Sequence, residues 1–241
     1  MVKGIDIFQE YFNEYTDQYV LIGGAACSVS FEEQDINFGR TTKDLDIVLI
    51  VEAQTKEFGE RFWKFIKDGK YRIRAKSNGE PQFYRFDKPE DERFPKMIEL
   101  FSRTNYLLQE ENGLTPIHID DSVSSLSAIL LNDAYYQALM DGRENMRGIS
   151  EWIIPFKAKA WLDLREKKDV DSSDIKKHRN DIIRIVSDMV LQKCILPDEV
   201  RKDMEKFIEQ FDVTESELKN LKIRGTKPED IKRVLQTTYL D

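Results

Sequence analysis

The chain has 241 residues, of which 40% are hydrophobic and 34% charged, and its 37 Lys and Arg against 45 Asp and Glu give a formal net charge of −8. These proportions exclude a collagen-like chain and a Pro/Gly-rich disordered one, and the acidic balance weighs against a protein that coats duplex nucleic acid by neutralising its phosphates. No apolar run approaches the ~18–20 residues of a membrane span and the first residues lack a basic-then-apolar leader, so a protein kept in the cytosol is expected. Cys27 and Cys194 stand far apart in no CxxC arrangement, which suggests reduced packing residues rather than a disulfide or a thiolate zinc site. With only His118 and His178 available, any metal chemistry has to run on carboxylates.

In chain order, apolar residues at helical spacing predict a helix over 5–12, and the apolar run 19–22 predicts a strand that stops at Gly23-Gly24. A helix over 25–33 leaves the glycines. The polar stretch 34–43 then leads into 44–51, a run too β-branched to prefer a helix and apolar on both faces beyond its first residues. A helix over 57–67 follows, then strands at 71–76, 82–87 and 96–101 divided by Gly/Pro/Asn-containing turns. Beyond about residue 121 the periodicity turns helical, with helices at 124–141, 150–167, 172–192, 198–211, 214–221 and 228–239. Their starts are marked by Ser124, Ser150, Ser172, Thr214 and a Lys227-Pro228-Glu229-Asp230 lead-in. The expected class is α+β: a mixed sheet flanked by helices over residues 1–121, then an all-helical domain over 122–241. No repeat and no low-complexity tract interrupts it. The aromatic sets Phe8, Tyr11, Phe12, Tyr15 and Phe62, Trp63, Phe65 fall at helical spacing and read as core.

Two residues in the sheet region stand out as chemistry. Asp44 and Asp46, at i and i+2 of a strand, share one face with Cα atoms roughly 6–7 Å apart, near enough for both carboxylates to reach one cation. Two like charges at the mouth of a strand need compensation by Arg or Lys, a shared proton or a divalent metal; a solvated loop is the alternative placement. Upstream, Gly23-Gly24 between a strand and a helix lets bare backbone amides approach phosphate oxygens at a helix N-terminus. The chain has no G-x-x-x-x-G-K-[ST] and no G-x-G-x-x-G, so this is neither a P-loop nor a dinucleotide fold. Glu99 is the lone acid in the apolar run Met97-Ile98-Glu99-Leu100-Phe101, where an unpaired charge is expensive.

The order strand, Gly23-Gly24, helix, Arg40-Thr41-Thr42-Lys43-Asp44-Leu45-Asp46, strand resembles the nucleotidyltransferase superfamily that includes DNA polymerase beta. More narrowly, the R-x-T-x-D-h-D string resembles the AbiEii/AbiGii-type toxin nucleotidyltransferases of toxin–antitoxin and phage-defence systems. The resemblance implies a nucleotidyltransferase-type sheet domain in which Asp44, Asp46 and Glu99 are catalytic and hold Mg2+, two ions by family pattern, with Mn2+ as a substitute. It also implies nucleotide contacts from Gly23, Gly24, Arg40 and Thr42. It extends to Lys157 on one helix and Asp174 near the start of the next, with Lys159 as a rival and with Ser173-Asp174 in place of the Arg-Asp of many relatives. Asp174 also reads as a first-turn acid capped by Ser172, and His178 as held between Asp174 and Asp181. Residues 157–184 carry nine Lys or Arg against six Asp or Glu, either a phosphate-facing surface or an ordinary solvated helix pair.

The implied reaction is transfer of a nucleoside monophosphate from a nucleoside triphosphate to an acceptor (an RNA end such as that of tRNA, a protein or a small molecule) with release of pyrophosphate. An antitoxin protein is the implied partner. An antibiotic-modifying nucleotidyltransferase uses the same core. Two other readings stay open: a catalytically silent nucleotide-binding regulatory protein of the same fold, and a carboxylate-metal phosphohydrolase.

Overall fold

A computed structural model describes residues 2–75, 81–103, 114–119, 124, 126–144, 149–168 and 170–241. The chain divides into two compact units, Met1–Val29 with Gly39–Asp133, and Ser30–Phe38 with Ala134–Asp241. The class is α+β, as expected from the sequence. The expected division at residue 121 falls outside the described residues.

The first unit begins with helix α1 (Ile5–Phe12), followed by strand β1 (Tyr19–Ile22), which leads directly into helix α2 (Gly23–Glu32, its last three residues in the second unit). Strand β2 (Asp44–Leu49), helix α3 (Lys56–Asp68) and strands β3 (Arg72–Ala75), β4 (Pro81–Asp87), β5 (Met97–Ser102), β6 (Leu114–Ile117) and β7 (Leu126–Leu130) complete it. Among the described residues the seven strands form one sheet in the order β1-β2-β5-β4-β3, with β7 pairing β5 and β6. Strand β2 runs antiparallel to β1 and parallel to β5.

Period-2 alternation splits this sheet into two chemically different faces. Leu45, Ile47 and Leu49 of β2, Ile98 and Leu100 of β5, and Phe86 of β4 turn to one side and are buried. Against them lie Ile5, Phe8 and Phe12 of α1 and Phe58, Phe62, Phe65 and Ile66 of α3, the i, i+3, i+4, i+7 stripes of two amphipathic helices. Helix α3 is started by Thr55, whose side chain accepts from the Phe58 amide at 3.3 Å. Ring pairs such as Phe12 with Phe65 at 5.4 Å and Phe62 with Phe86 at 5.6 Å knit the layer, and each buried phenyl contributes ~1.5–3 kcal/mol. The aromatics read as core from the sequence therefore lie in or against it. The opposite face carries Asp44, Asp46, Glu99 and Arg85, as the strand register requires.

The second unit contains α4 (Asp133–Glu144, its first residue still in the first unit), α5 (Ile149–Glu166), α6 (Ser172–Asp188), α7 (Asp198–Gln210), α8 (Glu215–Asn220) and α9 (Pro228–Tyr239). Its core includes Trp152, Trp161, Ile182, Ile183, Phe207, Phe211 and Leu235. Thr214 forms a capping box with Glu217, and Pro228 opens α9, both as their sequence signals predict.

Three expectations are corrected. The single helix over 124–141 is a strand followed by a helix: Leu126–Leu130 pairs parallel with β5 through Phe101↔Ile129 and Ser102↔Leu130, and the helix begins at Asp133. Leu-Ser-Ala-Ile-Leu has no decisive propensity, so pairing with distant strands settles it. Strand β6 is an addition to the expected set. The helix over 172–192 stops at Asp188, because the following segment exchanges helical hydrogen bonds for tertiary ones: the Gln192 amide donates to Glu151 Oε1 at 2.9 Å and the Cys194 amide to the Thr238 carbonyl at 2.8 Å. Finally, α6 is capped by Asp171, whose carboxylate accepts from the Ser173 amide at 2.8 Å, and not by Ser172.

Candidate functional site

Asp44 and Asp46 lie within β2 and not in a loop, on the face away from the aromatic core. In the parallel β2–β5 ladder Asp46 is the register partner of Glu99, so the two residues sit one strand spacing apart, about 4.8 Å. Asp44 lies one step along the same face beside Met97. The three acids chosen from the sequence therefore occupy neighbouring positions on one surface.

The β1–β2 register brings in the glycines. Ile22 pairs with Asp46, so the next residue, Gly23, turns directly over that carboxylate. Its φ of +66° lies in the left-handed region that disfavours side chains, and a Cβ there would overlap Asp46 Oδ2 and stand 3.1 Å from Asp46 Cγ. A Cβ on Gly24 would stand 2.6 Å from Thr42 Oγ1 and 2.8 Å from an Arg40 guanidinium nitrogen. Arg40 Nη1 donates to Thr42 Oγ1 at 3.2 Å, and Thr42 is buried, bridged in parallel to Val2. Gly23, Gly24, Arg40, Thr42 and Asp46 thus converge at the N-terminus of α2, with Asp44 and Glu99 on the adjoining strands.

Sequence reasoning misses Arg85. It faces Glu99 across the β4–β5 pair and donates from Nε to Glu99 Oε1 at 2.5 Å, with a second guanidinium nitrogen on the same oxygen. This guanidinium offsets the repulsion between Glu99 and Asp46. A lone base in the apolar alternation Phe83-Tyr84-Arg85-Phe86 is the available signal, the same one that singles out Glu99. Among the described residues no three His, Cys, Asp or Glu side chains are arranged as they stand to hold a metal ion. The oxygen-only donors Asp44 and Asp46 suit a hard divalent cation, while Glu99 is engaged by Arg85.

Of the two residues expected from the helical unit, Lys157 is buried and Asp174 is exposed. Lys157 is 3% exposed and its ammonium donates to Asp181 Oδ2 at 2.6 Å, with Asp181 itself 1% exposed. The structure puts it in a buried ion pair between α5 and α6 rather than on a phosphate-facing surface, because both of its neighbouring turns face the unit's core. Lys159 is more exposed and bridges Asp163 and Asp203 at 3.1 and 3.4 Å. Asp174 is an exposed first-turn residue of α6.

No protein-family model matches the sequence, and no curated protein matches it. Among solved structures, the chain is similar to one described as an antigenic nucleotidyltransferase-like protein from Paracoccidioides brasiliensis, with a TM-score of 0.42 and 12% identity over 91% of this chain and 90% of that one. Among the described residues no helix is long and apolar enough to cross a membrane.

Proposed function

We propose that this chain is a metal-dependent nucleotidyltransferase that moves a nucleoside monophosphate from a nucleoside triphosphate to an RNA, protein or small-molecule acceptor. The observation that carries the reading is the registered acid pair Asp46 and Glu99 beside Asp44, abutted by a left-handed glycine turn at a helix N-terminus.

Each residue then has a task that its position suits. The Gly23-Gly24 amides, free of side chains, meet phosphate oxygens of the triphosphate, aided by the positive end of α2. The Arg40 guanidinium adds a charged fork to the same phosphates, and the Thr42 hydroxyl orients that guanidinium. Asp44 and Asp46 would hold divalent metal, which when bound neutralises charge on the transferring phosphoryl group and lowers the pKa of the acceptor hydroxyl. Glu99, released from Arg85, takes the acceptor proton. The acceptor oxygen forms its bond to the α-phosphorus as the bond to the β-phosphate oxygen breaks, and pyrophosphate leaves.

The test is pyrophosphate release from each of the four nucleoside triphosphates, with and without magnesium, in the presence of cellular RNA and protein. Magnesium-dependent release from the wild type and none from Asp46→Asn supports the reading; release of inorganic phosphate alone would mark a phosphohydrolase. The toxin role implied by the sequence resemblance adds one expectation, that expression arrests growth and Asp46→Asn relieves the arrest.

The ion pair between Arg85 and Glu99 favours one second reading, a nucleotide-binding regulatory protein without turnover, since a guanidinium already satisfies the third carboxylate. Magnesium-dependent nucleotide binding with no pyrophosphate release would select it.

A further inference from the structure

Beside the acidic face, a cleft of about 490 Å³ opens at the end of the sheet where β4 stops and β5 begins. Its lining includes Met97, the strand neighbour of Asp44, and Asp87, the next residue across the sheet in the same row. Three lysines also line it, Lys3, Lys88 and Lys96. They are gathered by backbone hydrogen bonds: the Lys3 amide donates to the Thr42 carbonyl at 3.0 Å, the Lys88 amide to the Lys96 carbonyl at 3.1 Å, and the Lys96 amide to the Lys43 carbonyl at 2.8 Å. Two of these bonds fasten the cleft to residues 42 and 43, immediately before Asp44.

The charges around the cleft are distributed unevenly. Arg72 is paired with Asp87 at 2.7 Å, Lys70 with Glu90 at 2.7 Å and Arg93 with Asp91 at 2.6 Å. The Arg72 guanidinium holds the Asp87 carboxyl below its ordinary range, so that acid is already compensated. Among the described residues, Lys3, Lys88 and Lys96 are in no ion pair, and the remaining carboxylate of the lining is the exposed Glu92. The lining thus carries three lysines outside any ion pair against one uncompensated carboxylate, in a protein whose net charge is −8. A concave site of this volume accommodates a nucleotide-sized group, and clustered ammoniums recognise phosphate as point charges.

We propose that this cleft binds the phosphate of a nucleotide-sized acceptor group and presents it to the acids of β2. This rests on the transferase reading and extends it, because it places the acceptor on the Met97 side of Asp44, opposite the Gly23-Gly24 turn. The phosphate comes either from the terminal nucleotide of an RNA strand or from a free mononucleotide.

The test measures binding without catalysis: fluorescence anisotropy of a labelled single-stranded RNA of eight nucleotides, without nucleoside triphosphate, with AMP as competitor. The triple variant Lys3→Gln/Lys88→Gln/Lys96→Gln should weaken RNA binding about tenfold and flatten its salt dependence by about 0.7 in log–log slope for each phosphate no longer neutralised. Glu92→Gln, which leaves the lysines in place, should strengthen binding about two- to threefold and serves if the triple variant is poorly folded. AMP competing with RNA at similar affinity assigns the site to a free mononucleotide, and RNA binding that AMP does not displace assigns it to a strand end. RNA and AMP binding unchanged in both variants overturns the proposal. Lysine-independent binding with Asp46-dependent transfer would refute the cleft and leave the transferase; lysine-dependent binding with no transfer from any triphosphate would do the reverse.

Discussion

Gly23→Ala probes the joint between the glycine turn and the acids. At φ +66° a side chain costs about 1–2 kcal/mol in backbone strain. The added methyl also overlaps Asp46 Oδ2, and relief requires the carboxylate to leave its rotamer at a further ~0.5–1.5 kcal/mol. The total of about 2–3 kcal/mol leaves the protein folded and corresponds to a fall in Tm of about 5–10 °C in a chain of this size. Gly225→Ala provides the reference, because Gly225 has φ +81° and a methyl there would meet nothing within 4 Å, so it reports the same strain alone, about 1–2 kcal/mol. Urea titration of the two variants and the wild type gives the difference, and initial rates of transfer give the functional cost. Displacing Asp46 by about 1 Å should cost on the order of 100-fold in rate, whereas Gly225→Ala should cost nothing. Equal destabilisation by the two substitutions, or a Gly23→Ala protein with the wild-type rate, would refute the close approach of turn and carboxylate.

Other substitutions separate structural from chemical roles. Lys157→Ala removes the ammonium from a buried ion pair in the helical core and should destabilise by about 3–5 kcal/mol in urea titration, whereas Lys159→Ala, at an exposed pair, should cost no more than about 1 kcal/mol; a stable Lys157→Ala protein with poor nucleotide use would restore the lysine to a binding role. Arg85→Gln frees Glu99 and should tighten manganese binding several-fold by equilibrium titration, with no change meaning that the guanidinium does not compete for that carboxylate. The Arg179 guanidinium beside Glu217 lowers its carboxyl to about 2. Because the folded value is depressed, the stabilisation is present above the ordinary carboxyl range near 4.5 and is lost as pH falls from there towards about 2. For this partly solvated pair it amounts to about 1 kcal/mol, so the urea midpoint of wild type relative to Glu217→Gln should fall between pH 5 and 3; parallel pH curves would contradict the pairing.

Much of the acidic face is legible in the sequence because strand alternation is local. Asp44 and Asp46 follow from a β-branched run, and Glu99 from being the lone charge in an apolar one. The register that puts Asp46 beside Glu99 and Gly23 over Asp46 depends on which strands pair, and nothing within either segment states that. Arg85 escapes a sequence reading because its role exists only across the β4–β5 pair. The 126–130 strand reads as helix for the same reason, its state being set by β5 and β6 rather than by its own propensities. Lys157 is misplaced by the sequence because helical periodicity gives spacing but not which stripe faces the core when charged and apolar residues alternate along Phe156-Lys157-Ala158-Lys159.

Whether the acids of β2 and β5 and the glycine turn form one transfer site is decided by following label from each of four α-phosphate-labelled nucleoside triphosphates onto RNA or protein. The comparison is run with magnesium for wild type, Asp46→Asn and Glu99→Gln. Label should appear on an acceptor with the wild type and fall at least about 1,000-fold in Asp46→Asn, with both variants folded by circular dichroism. Undiminished labelling by folded Asp46→Asn and Glu99→Gln would contradict a transfer site at these acids.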